Sequence, residues 1–258
     1  ITTDNPEQST TRYSWDFSDE SQTANEGVNV PVLGGNAGYD AENGAVKMTT
    51  SNSSGGQLNV KFEEPIKSVQ GEKIKITSKI AFGRQSGKYM DYKIIDSSGK
   101  ELASSHINIY SSSAEQSIKI GDVEQIESGL PAGIVTSNKD NNGINNGYST
   151  FEVILSPDTN TITLTVSNGE GSSSFTGSFP NGTAYDVGEL IFTTTQTYSS
   201  RSCYVDDISV VKILSPSYSM TFDVKDSQNE DVSNADVKVI DKVYGTEVAK
   251  QSDGTYHL

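Results

Sequence analysis

Cysteine, histidine, tryptophan and positive charge are scarce in this 258-residue chain, and long apolar runs are missing altogether. The single cysteine, Cys203, rules out an internal disulfide framework, and one thiol fixes no redox compartment. Only two histidines are present, His106 in a strand-like stretch and His257 next to the last residue, so neither a His-rich metal site nor a Ser-His-Asp triad can be read from the sequence. The 19 basic residues stand against 34 acidic ones, a net charge of −15. That argues against nucleic acid, whose affinity comes mostly from Lys and Arg neutralising phosphates, and equally against anionic membranes. No stretch approaches the roughly 20 apolar residues of a membrane span, and residues 1–11, ITTDNPEQSTT, are expected to be a flexible polar leader without a signal-peptide core. A Gly-rich phosphate loop between a strand and a helix is missing too, as is any sustained 3.6-residue apolar period.

What is present is strand after strand. RYSWDF (12–17), AVKMTT (45–50), QLNVKF (57–62), KIKITSKIAF (73–82) and YMDYKII (89–95) are short, rich in β-branched and aromatic residues, and separated by Gly, Ser, Asn or Pro. In YSTFEVILSPDTNTITLTVSNG (148–169), Phe151, Val153 and Leu155 alternate with polar residues, as do Ile162, Leu164 and Val166. Between the two runs Pro157 presets φ, and Asp158 offers a side chain that bonds its own backbone, so the segment predicts a hairpin with one buried face. GELIFTTTQ (188–196) and SCYVDDISVVKI (202–213) close a series of roughly a dozen strands, which predicts an all-β, jelly-roll-like sandwich over 12–213. LSPS (214–217) reads as a linker, and 218–258 as the start of a second, small β domain.

One strand poses a problem. In CYVDDISVVKIL (203–214), alternation puts Asp206 on the face of Tyr204, Ile208 and Val210, and Asp207 on the face of Val205, Ser209 and Val211. Whichever face meets the core, one carboxylate points toward it, and such a group needs a hydrogen-bonding, ionic or metal partner. Backbone N–H groups or Arg201 would serve.

Together YSWDFSD, YKIIDSSGKEL, STFEVILSPDTNTITLTV and YVDDISV resemble the non-catalytic carbohydrate-binding β-sandwich modules of secreted, multimodular bacterial glycan-degrading proteins. The resemblance covers roughly 12–213, with the closing Asp-Asp-Ile strand its most specific part. The tail from VKDSQNEDV onward is similar to the Ig-like or transthyretin-like repeats that space such modules on the cell surface. The low-cysteine, Ser/Asn-rich style resembles surface starch-adherence proteins. The family often holds a structural Ca2+ between the closing strand and the chain start. Carried over, Asp206 or Asp207 would share the ion with Asp16, Ser18, Asp19 and Glu20, which offer enough of the about six to eight oxygens that calcium takes. NKDNNGINNGYS (138–149) matches the first half of a calcium loop at Asp140, Asn142 and Gly143. It then fails, because the first position is Asn138 and the twelfth is Ser149. A long loop tolerant of positive φ, or the rim of a sugar site, reads as well.

Sugar recognition needs a flat aromatic face against the pyranose C–H groups, with planar polar side chains for the hydroxyls. Three stretches offer both: Arg84, Gln85, Lys88, Tyr89 and Tyr92, beside Asp91; Asn145 and Tyr148 in the Asn-rich loop; and Gln196 and Tyr198, beside Arg201. For any one Tyr the plainer reading is a strand residue half in the core. Trp15 shares a face with Tyr13 and Phe17 and is expected in the core.

Three functions follow. The chain binds a carbohydrate, is a structural or adhesive spacer with a protein partner, or is a β-sandwich lyase or hydrolase. With 34 acids some pair can always be found, and sequence fixes no separation between them, while Cys203 has no nearby His and reads as a buried thiol. A non-catalytic, monomeric, extracellular carbohydrate-binding protein is therefore expected. Its strong negative charge favours a neutral polysaccharide, starch or another glucan, over pectin, although a Debye length of about 8 Å blunts that preference.

Overall fold

Period-two alternation of apolar side chains builds almost every element of the molecule. The computed structural model describes residues 2–5, 7–50, 54–83, 87–109, 114–121, 123–127, 140–178, 184–194, 201–220, 225, 227–229, 238–240, 247–248 and 256–257. In chain order the strands are β1 (Thr2–Asn5), β2 (Gln8–Trp15), β3 (Pro31–Gly35), β4 (Ala37–Asp40), β5 (Ala45–Thr50), β6 (Gly56–Val69), β7 (Glu72–Phe82), β8 (Gly87–Ile95) and β9 (Glu101–Ile109). They continue with β10 (Ala114–Ile120), β11 (Val123–Glu127), β12 (Ser149–Ser156), β13 (Thr161–Asn168), β14 (Gly171–Ser178), β15 (Ala184–Thr194), β16 (Arg201–Leu214), β17 (Ser217–Met220) and β18 (Tyr256–His257). Among the described residues the only helical segments are short 3-10 turns, at Glu20–Gln22 and Gly143–Asn146.

The chain divides into two compact units, Thr10–Ile213 and a smaller one made of Ile1–Ser9 with Leu214–Leu258. In the smaller unit β1 pairs with β17 and β17 with β18, so part of the expected leader is strand. Long-range pairing there joins the two ends of the sequence, which no local pattern could announce.

The larger unit is a jelly-roll-like β-sandwich. One sheet runs β11-β10-β9-β8-β15-β6-β3, and the other β14-β13-β12-β7-β16-β5-β4 with β2 also on β16. The 148–169 hairpin forms as its pattern predicts, with Phe151 opposite Val166, Val153 opposite Leu164 and Leu155 opposite Ile162. All six side chains are buried. Its turn closes with the Asn160 N–H on the Pro157 carbonyl, while Asp158 reaches away to accept the N–H of Gly71 at 2.5 Å. Tyr13, Trp15 and Phe17 join one core as expected, the rings of Tyr13 and Trp15 stacked at 5.6 Å. Cys203 is a fully buried thiol. Each such Val, Leu, Ile or Phe contributes about 1.5–3 kcal/mol of burial, so the sandwich needs no disulfide.

Candidate functional site

The two carboxylates of β16 escape the core because the strand carries an extra residue. Cys203, Val205, Ile208 and Val210 all lie in the main core, and the step of three between Val205 and Ile208 breaks the alternation. Asp207 absorbs the extra residue with φ 47°, a left-handed conformation that Asp tolerates better than most. Strict alternation would have placed Asp206 with Ile208 and Val210; the slip separates them. Asp207 forms an ion pair with Lys79 of β7, and its N–H donates to Asp206 Oδ1 at 2.8 Å. Burial pushes the Asp206 carboxyl up to about 6, with Asp207 and Asp16 adding repulsion, and the Asp207 N–H and Lys79 opposing.

The neighbouring outward residue, Tyr204, seeds a second small core. It is fully buried with Ala45 of β5 and Ala81 of β7, under Ile144 and Tyr148 of the segment 140–148. That segment lies so close to the sheet that a Cβ on Gly143 would sit 2.5 Å from the Ala81 carbonyl oxygen, and one on Gly83 2.3 Å from that of Asn141. Amide side chains anchor it. Asn146 donates to the Phe82 and Asp140 carbonyls, Ser202 Oγ donates to Asn142 Oδ1 at 3.0 Å, and Arg201 donates to Asn141 Oδ1 at 2.7 Å. The hydroxyls of Tyr148 and Tyr204 are buried without a hydrogen-bond partner, and burial, then Asp206 and Asp207, push the Tyr148 hydroxyl above its ordinary range.

Beside this small core the outward face opens into a trough. One hollow of about 400 Å³ lies over β4 and is lined by Asn36, Tyr39, Asp40, Lys47 and Thr49; the next, about 330 Å³, shares Lys47 and Thr49 and reaches Asp140, Asn141 and Arg201. The floor follows from register: Gly38 pairs with Lys47, which pairs with Tyr204, and Thr49 pairs with Ser202. Gly38 leaves open space where a side chain would stand. Lys47 Nζ rests 5.7 Å from the centre of the Tyr204 ring, a cation–π contact that fixes its direction. Partial desolvation would raise the Asp40 carboxyl. The Asn43 side chain, the N–H groups of Glu42 and Asn43, and Lys47 outweigh it and hold the group below its ordinary value. Two cations, Lys47 and Arg201, thus face two carboxylates, Asp40 and Asp140.

The residues expected from the sequence to bind sugar are scattered. Arg84, Gln85, Gln196 and Tyr198 lie outside the described residues, as do the side chains of Lys88 and Tyr89 on β8. Tyr92 is corrected: it points inward, is 1% exposed and stacks on Phe192 at 4.6 Å, so it offers no face to a ligand. Tyr148 is a lid over Tyr204, and Asn145 is exposed on the short turn beside it. The trough residues Lys47 and Thr49 were not expected, because their partners in β16, Tyr204 and Ser202, are some 150 positions away; Tyr39, on the edge strand β4, was not expected either.

Of the acids expected to hold calcium, Asp16, Asp19 and Asp207 already have protein partners, while Asp16 lies near enough to Asp206 to help raise its carboxyl. Asp16 Oδ1 already accepts from Gln22 Nε2 at 2.6 Å, from Ser18 Oγ at 2.8 Å and from the Ser18 N–H at 3.1 Å, bonds that hold its carboxyl down to about 2. Asp19 caps the first short turn by accepting the Ser21 N–H at 2.7 Å, and Asp207 has Lys79. Among the described residues no group of three or more His, Cys, Asp or Glu side chains is placed to share a metal. In the Asn-rich loop, Asp140 Oδ1 accepts the Asn142 N–H at 2.8 Å.

On the other sheet a row not foreseen from the sequence joins Asp91, His106 and Ser117 on adjacent strands. His106 Nδ1 bonds Asp91, but Nε2 is buried and has no hydrogen-bond partner, so the row stops short of a triad.

No protein-family model matches the sequence, and no curated protein matches it. Solved structures do resemble it. The CBM2 module of Lactobacillus casei BL23 phage J-1 evolved Dit aligns with TM-score 0.56 at 13% identity, over 81% of this chain and 98% of that one. A lectin from Bauhinia forficata in complex with GalNAc gives 0.52 at 11%, over 80% and 98%. Winged bean acidic lectin complexed with methyl-α-D-galactose gives 0.51 at 12%, over 81% and 99%. At such identities the likeness concerns the fold, a β-sandwich shared with lectins and a carbohydrate-binding module.

Proposed function

We propose that the chain binds a neutral polysaccharide without cleaving it, and that the trough over β4, β5 and β16 receives the sugar. The observation that carries this reading is the lining: amide and guanidinium groups held rigid by their own hydrogen bonds, and two cations balanced by two carboxylates. Planar, preoriented polar groups suit sugar hydroxyls, and a lining without net charge suits an uncharged glycan such as starch or another glucan better than pectin. Asp40 and Asp140 are bonded into the trough walls, which suits recognition rather than acid–base chemistry. The sugar complexes among the similar lectins support the same reading of the fold. As part of an extracellular multimodular protein, the larger unit would hold the glycan while the smaller acts as a spacer.

The test is retention in native gels cast with starch, pullulan, a cellulose-type glucan, xylan or pectin, with reducing ends assayed in parallel. Retardation by a neutral glucan, reduced in Arg201→Ala and without product release, is expected. Free migration in every gel would sink the binding reading, and released product would replace it with catalysis.

A further inference from the structure

We propose that β14 is a self-association edge, onto which a second copy of this chain adds its own β14 antiparallel. The four edges of the sandwich are not alike. β3 begins with Pro31 and is bridged along its edge by Ala24, β4 is four residues long and ends in Asp40, and β11 is five residues with two glutamates. Those are the devices by which sheets prevent unwanted pairing: shortness, charge, proline and cover. β14, GSSSFTGS, has none of them. Its eight residues carry no charge and no proline, and all eight pair with β13 without a register shift. Among the described residues nothing pairs with its outer side.

The strand is also a fixed template rather than a frayed end. A Cβ on Gly177 would lie 3.0 Å from Ile120, so β14 is seated closely on the opposite sheet. Thr176 bonds Thr163 at 2.8 Å and Ser174 bonds Thr165 at 2.9 Å, holding the outward side chains in place.

A second copy fits this edge better than an unrelated strand because the sequence is complementary to itself. A two-fold axis at Phe175 sets the two Phe175 rings opposite each other, Ser173 opposite Gly177, Ser174 opposite Thr176 and Ser172 opposite Ser178. Small residues flank the ring pair on the core side, hydroxyls face hydroxyls on the outer side, and no like charges meet. Phe175 is only partly buried in one copy, where it packs against the core, and the pairing would cover it. Each copy carries −15, so overall repulsion opposes the dimer and added salt should strengthen it.

Sedimentation velocity of the whole chain across the micromolar range, at low and high salt, tests this. A species of twice the 27.7 kDa chain mass is expected, favoured by salt and absent in Ser174→Lys/Thr176→Lys, which sets lysines opposite each other. Circular dichroism would show whether that variant keeps its fold. Hydrogen exchange of the unaltered chain should independently show β14 amides gaining protection as concentration rises. A monomer at every concentration, or a dimer that survives the lysines with β14 amides unprotected, would overturn the proposal.

Discussion

The two halves of the outward face of one sheet obey different rules. Over β12, β13 and β14 the outward positions are, Ile154 apart, hydroxyls or charges, several of them bonded to a neighbour: Thr163 to Thr176, Thr165 to Ser174, and Glu152 to Lys75 of the adjacent β7. Over β4, β5 and β16 the alternation slips at Asp207, Tyr204 is buried on the outward side, and backbone approaches are tight enough to demand glycine. The regular half is a solvated surface that any polar pattern could make. The irregular half needs particular residues at particular places, and such violations of local rules tend to gather where a protein does its work.

The largest effect should come from breaking the irregular half at its tightest point. Gly143→Ala drives a methyl into the Ala81 carbonyl at 2.5 Å, a collision expected to cost about 1–3 kcal/mol and to abolish glycan retention as the 140–148 segment lifts. Its counterpart Gly171→Ala, with nothing within 4 Å, should change stability by no more than about 0.5 kcal/mol; urea unfolding of the two variants makes the comparison. Next, Arg201→Ala should weaken glycan binding roughly tenfold, the loss of about 1.4 kcal/mol of charge-assisted hydrogen bonding, whereas Thr165→Val on the regular half should leave binding unchanged. A titration of both variants would show equal losses if the trough were not the site.

Asp206 gives the pH dependence. Its folded value is raised to about 6 from 3.8, so the folded state holds the proton more tightly and the cost of ionising it grows as pH rises from about 4 to 6, then stays constant. Asp206→Asn should therefore melt higher than the unaltered chain above pH 6, with the gain fading as pH falls toward 4. A gain independent of pH would contradict the cause assigned here. The smallest effect is a null one. Because Asp16, Asp19 and Asp207 already have protein partners, chelator should leave the melting temperature unmoved, and a rise on adding calcium would place the ion at Asp16, Asp19, Asp206 and Asp207.

The same contrast explains what could be read from the chain alone. The 148–169 hairpin and the Tyr13, Trp15, Phe17 stack are written in period two, and the structure follows them. Tyr92 misled because aromatic and polar neighbours in sequence lie on opposite faces of a strand. Asp206 and Asp207 misled because one extra residue in β16 reverses every inference from alternation. Lys79 was hidden for another reason: it meets Asp207 only because β7 and β16 lie side by side, and strand order is a property of the whole sandwich. Lys47 was hidden in the same way, because it meets Tyr204 across β5 and β16.

The most direct measurement is hydrogen exchange of the chain with and without whichever glucan retains it in the gel. Protection confined to residues 36–49, 140–148 and 201–204 is the expected result. Protection on the outward side of β8, β9 and β15 instead, with the trough unchanged, would place the sugar on the opposite sheet and contradict the account.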